Sequence, residues 1–224
     1  MSKKTISISA FYLTLNSLMM MVVPILLVPI ISSGFGVGEA GLFFFSLAIV
    51  NFVVLLSDLG LSTYGVKKYN DVLGFEGLKV FYLSSMSLKL FIHAVLVGIA
   101  VTCFILFSTE KWLIASVSLV TSYFYSISPI WVVQAQQKFS LLLIFHMIPK
   151  VSLILIVYLC LELNLPFIYI FIFNAASVFF ALKWLQSAVA FPVVTIPSGV
   201  SRSDIVNFLV EIKPFYANRL ASSI

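Results

Sequence analysis

Two lysine–histidine pairs stand inside apolar stretches of this 224-residue chain: Lys89 with His93, and His146 with Lys150. A charge at a bilayer centre costs at least ~2.5–3.5 kcal/mol on insertion scales, so it is kept where it faces a cavity, a partner or a substrate. Ser85, Lys89 and His93 fall at i, i+4 and i+8, one stripe of a helix, and His146 and Lys150 are likewise four apart. At the helical rise of 1.5 Å per residue, Lys89 lies ~15 Å past Lys79 and His146 ~12 Å past Lys138. The same count sets His93 at ~21 Å and Lys150 at ~18 Å. Each depth then holds one lysine and one histidine, a two-level ladder of positive or protonatable groups suited to an anion. A blander account stands beside it. Either lysine has a stem long enough to reach the headgroups, and either histidine serves equally as a hydrogen-bonded packing residue. Asp58, seven residues after Asn51, is either a charge partner for a lysine or the cap of a helix end.

The elements that position these groups are set by composition. Hydrophobic residues make up 62% of the chain and charged ones 9%, with a mean hydropathy of +1.16, far from the roughly half apolar and quarter charged balance of soluble domains. Apolar runs bounded by Gly, Pro or charge give segments of spanning length at residues 10–32, 41–61, 81–107, 112–133, 141–161 and 166–185, with a seventh beginning near Asp204. All are expected to be helices, because an open strand leaves backbone groups unpaired in lipid. The fold class is therefore all-α, a polytopic membrane bundle. Residues 1–185 form it, 186–203 are a linker marked by Pro192, Pro197, Ser198 and Gly199, and 204–224 open a further bundle.

With the N-terminus inside, the inner loops carry Lys3, Lys4, Lys67, Lys68, Lys79, Lys138, Lys183 and Arg202, and the outer ones only Lys111 beside Glu39, Glu110 and Glu162. That is a positive-inside pattern, and it places the net charge of +5 against anionic lipid and not nucleic acid. The apolar stretch after Lys3 and Lys4 is too long for a signal-peptide core and reads as a retained helix. Pro24, Pro29 and Pro129 should bend or break their helices. Milder polar stripes (Tyr12 and Asn16; Ser118, Thr121, Ser122, Tyr125 and Ser128; Asn174 and Ser177) suit interhelical hydrogen bonds.

Enzymatic chemistry finds no support. Gly36-Val-Gly-Glu-Ala-Gly41 fits a dinucleotide pattern on paper, but it joins two membrane segments with no preceding strand, so it reads as a turn. There is no P-loop lysine motif, metal-ligand cluster or nucleophile elbow, and no cofactor is expected. Cys103 and Cys160 lie in apolar runs and read as small buried hydrophobes.

Several stretches resemble the polysaccharide transporters, the Wzx-type flippases of the MATE-like superfamily. They are Pro24-Ile-Leu-Leu-Val-Pro29, Gly34-Phe-Gly-Val-Gly-Glu-Ala-Gly41, Phe43-Phe-Phe-Ser-Leu-Ala, Ser57-Asp-Leu-Gly-Leu61, Pro129-Ile-Trp-Val-Val-Gln-Ala-Gln-Gln137 and Lys213-Pro-Phe-Tyr-Ala-Asn-Arg-Leu220. The resemblance implies a two-lobe helix bundle that moves undecaprenyl-pyrophosphate-linked oligosaccharide across the bacterial inner membrane, alongside a polysaccharide polymerase and chain-length machinery. It implies that Lys89, Lys150 and Arg219 meet the phosphate, with Asp58 as a charge partner, while the residues themselves make His93, His146 and Asp58 candidates for a polar or proton relay. Members of that family are longer, so this chain reads as a first lobe with the start of a second, and transport by this polypeptide alone is not expected. The alternatives are a multidrug exporter of the same superfamily, whose cavities favour carboxylates, and a non-transporting membrane remnant.

Overall fold

The computed structural model describes residues 3–58, 60–70, 75–107 and 110–189, and among these every regular element is an α-helix. In chain order they are α1 (Lys3–Gly34), α2 (Val37–Asp58), α3 (Leu61–Asn70), α4 (Phe75–Phe107), α5 (Glu110–Ser126), α6 (Ile130–Ala135), α7 (Phe139–Glu162) and α8 (Ile168–Ala188). Six stretches within them are long and apolar enough to cross a bilayer. The expected run at 41–61 resolves into α2 and the start of a short polar helix, α3, while the run at 112–133 is split into α5 and α6. Residues 186–188, expected to open the linker, continue α8 instead, and Gln186 is fully buried there. The rest of the expected linker from residue 190, the seventh segment and Arg219 lie outside the described residues.

The molecule is built inside out relative to a soluble bundle. On α4, Lys89 is 6% and His93 2% exposed, while Phe91 is 67% and Ile105 69% exposed. The same apolar exterior covers α1 and α7, a continuous surface that only lipid or another apolar partner would cover.

The fifth helix is the hub, packing against α2, α4 and α8, while α7 packs on α1 and α8 to close the ring. Its serines and threonines explain why. Small side chains let helix backbones approach, and each hydroxyl here spends its proton on a carbonyl three or four residues back, as from Ser118 to Ile114 at 2.7 Å and from Ser126 to Ser122 at 2.8 Å. Two hydroxyls also reach α2: Ser46 and Ser118 lie 2.6 Å apart, and Ser57 and Ser126 2.8 Å. Both chain numbers rise together along the contact, so α2 and α5 run parallel, as alternating spans require.

Helix ends are closed by backbone geometry. Gln137 and Asn164 take φ of 56° and 51°, after α6 and α7. In each case the next residue reaches back in a Schellman closure, Lys138 N–H to the Val133 carbonyl at 3.0 Å and Leu165 N–H to that of Cys160 at 2.9 Å. Gly36, at φ 104°, makes the turn between α1 and α2, which is the turn expected of the glycine-rich stretch.

Candidate functional site

Pro129 organises the polar interior. It has no N–H to offer the Tyr125 carbonyl and its ring blocks the preceding turn, so α5 stops at Ser126 and α6 starts at Ile130. The carbonyls of Ser126 and Ile127 lose their helical partners in the middle of the bundle, where each unsatisfied group costs several kcal/mol. Two side chains of α4 take them. Lys89 Nζ donates to Ser126 O at 2.6 Å, and Tyr82 Oη donates to Ile127 O at 2.7 Å. They are seven residues apart, two turns on one helix face, which matches two carbonyls adjacent at a broken helix end. The ammonium also meets the negative end of the α5 dipole. Gln186 Nε2 of α8 donates to Tyr82 Oη at 3.4 Å and completes the network.

Beside this elbow lies a chamber of about 510 Å³, lined by Asn51, Asp58, Ser62, Lys89, Ser126 and Gln134 among others. Its size falls in the ~300–1,000 Å³ range of small-molecule sites. Asp58 interacts electrostatically with Lys89. It also accepts from Ser62 N–H at 3.3 Å and Ser62 Oγ at 2.5 Å, closing the start of α3. Its hydrogen bonds therefore close the start of α3 and not the end of α2.

A second chamber, of about 180 Å³, adjoins the first and shares Asn51, Val54, Tyr125 and Ile130 with it. Here α7 supplies His146 and Lys150, α2 supplies Ser46, and α8 supplies Asn174. Among the described residues no carboxylate lines it. His146 Nδ1 is held 2.7 Å from Asn16 Oδ1 of α1, so the two polar stripes meet. Lys150, 9% exposed, makes no hydrogen bond or ion pair among the described residues, and its ammonium is the uncommitted charge of the pair of chambers.

No family model, curated protein or solved structure matches the chain. Its chemistry therefore rests on the placement of its own residues.

That placement sorts the expected ladder into separate parts. Lys89 faces one chamber and Lys150 the other, and neither snorkels. His93 lines neither of the two: its Nδ1 pairs with the Lys89 carbonyl at 2.8 Å and its ring packs edge-on to Tyr123 at 5.3 Å. Tyr82 and Gln186 were not among the candidate residues, since a tyrosine near a helix entry and a glutamine near an expected linker carry no mark of their own. The available signal was Pro129, whose freed carbonyls demand donors from some neighbouring helix.

Proposed function

We propose that this chain forms one wall of a lipid-linked oligosaccharide flippase of the polysaccharide transporter type, in the bacterial inner membrane with its N-terminus in the cytoplasm. The observation that carries this reading is Lys150. A buried ammonium without a hydrogen-bond or ion-pair partner among the described residues is costly to keep, and a chamber that no described carboxylate lines offers it no counter-charge. An anionic ligand supplies what is missing. Undecaprenyl-linked pyrophosphate fits, because its charge would sit at Lys150, its glycan in the polar lumen and its tail in the lipid that wets the apolar exterior. The asparagines at 51 and 174, with His146, would orient phosphate or sugar oxygens once the charge is in place. The loop lysines support the inside-to-outside direction, since they hold the inner ends of the helices at an anionic leaflet.

The test is binding of undecaprenyl pyrophosphate to the purified chain in nanodiscs. Lys150→Met should weaken it about tenfold or more, equivalent to ~1.4 kcal/mol or more, whereas Lys150→Arg should retain most of it. Equal affinity of wild type and Lys150→Met, both folded, would overturn the reading. So would tighter binding of a lipophilic cation than of the pyrophosphate, which is the multidrug-exporter outcome.

A further inference from the structure

The elbow at Pro129 is held differently from an ordinary helix kink. Its two freed carbonyls are bonded by side chains of another helix, Lys89 and Tyr82 of α4, and not by backbone or by α5 itself. One of those side chains is charged and borders a 510 Å³ space in which α6 also takes part through Ile130 and Gln134. The uncommitted Lys150 sits in the adjoining chamber, joined to the first through Asn51, Val54, Tyr125 and Ile130. Ile130 and Tyr125 flank the elbow and face both spaces. Room to move, a break in the backbone ladder and an exchangeable charge-assisted hydrogen bond therefore coincide at one place.

We propose that Lys89 and Tyr82 form a clasp on a hinge between α5 and α6, and that an anion entering the chambers draws the Lys89 ammonium off Ser126 and frees the hinge. A carbonyl is a weaker acceptor for an ammonium than a phosphate oxygen, so the exchange runs in favour of the ligand. Loss of that bond leaves Tyr82 as the single hold, on Ile127 O. The Ser126 carbonyl, which lines the polar chamber, can then be met by water. α6 would then swing with its buried Trp131–Val133 face, which packs against α3 and the start of α7. The device turns occupancy of the chambers into movement of a short helix that borders them. Its ligand-driven half rests on the anion reading above; the clasp does not.

Spin labels at Val120→Cys on α5 and Ala135→Cys on α6, in a Cys103→Ala, Cys160→Ala background in nanodiscs, report the elbow directly. A straight helix would set those positions ~22 Å apart. Wild type should give one narrow distance, kept by Lys89→Arg. Lys89→Met should give a second distance that dominates the distribution. Tyr82→Phe, which removes one hydrogen bond and keeps the ring, should give a smaller share of that same distance and serves if Lys89→Met does not accumulate. Saturating inorganic pyrophosphate should move wild type to the second distance and leave Lys89→Met unchanged. The wild-type distance in both folded variants overturns the clasp. Pyrophosphate that binds, by calorimetry, without moving the elbow overturns the ligand trigger and leaves the anion reading intact. Variants that open while pyrophosphate fails to bind overturn the anion reading and the trigger together, and support the clasp.

Discussion

Lys89 and Lys150 look alike in the sequence and differ in what they touch. One ammonium replaces a backbone donor at a broken helix; the other makes no hydrogen bond or ion pair with a described residue. Their removal should therefore pull stability in opposite directions. Lys89→Met strips a buried carbonyl of its donor and should cost about 1–3 kcal/mol. Lys150→Met removes an unpaired buried charge and should leave stability unchanged or raise it. Reversible unfolding in mixed detergent checks this, and equal losses in both variants would show that Lys150 is as structural as Lys89. Spacing along the chain reveals that a lysine is buried, because a helix stripe has one direction. It does not reveal the partner, because that depends on which helix is broken opposite it. Hence the depth count placed Lys89 and His146 on one level, and both do flank the elbow through Ser126 and Tyr125. The same count could not say that His93 turns back onto its own helix at the Lys89 carbonyl.

Among the elements, apolar length made six complete spans legible, and the described residues hold six. Boundaries were less legible wherever a tertiary partner decides them. α8 outlasts its expected end because Gln186 finds Tyr82, and α3 forms from a polar decamer because Asp58 closes its start. The break at Pro129 was expected, and its consequence can be tested by undoing it. Pro129→Ala supplies a helical N–H to the Tyr125 carbonyl, which Ser128 now meets through its N–H at 3.3 Å and its Oγ at 2.6 Å, and removes a ring that costs a helix interior about 3 kcal/mol. α5 and α6 should then fuse, with thermal stability equal to or above wild type. The Ser126 and Ile127 carbonyls would return to the backbone ladder and displace Lys89 and Tyr82. Pyrophosphate affinity should change while the protein stays folded, a pairing that circular dichroism and calorimetry would register on one sample. A variant that keeps both the wild-type elbow distance and affinity would mean that neighbouring helices, not the proline, impose the break.

At the scale of the whole molecule, the parallel run of α2 and α5 and the closed ring of α1, α2, α5, α8 and α7 fix which helix ends share a side, but not which side faces the cytoplasm. The proposed orientation, with the N-terminus in the cytoplasm, takes that from the loop charges. Lys138 lies in the turn between α6 and α7 and Leu163 in the turn between α7 and α8, at opposite ends of one 24-residue helix, and both are exposed. Lysine excess near helix ends holds a loop on the cytoplasmic side, whereas carboxylates such as Glu162 contribute little. Cysteine at Leu163 should therefore react with a membrane-impermeant maleimide in intact cells, and cysteine at Lys138 only after permeabilisation. The substitution at Lys138 removes a single inner charge out of many, so it should leave the insertion unchanged. The reverse labelling would invert the molecule, put the elbow and its chamber on the outer side, and leave Lys150 facing a ligand that approaches from the wrong leaflet.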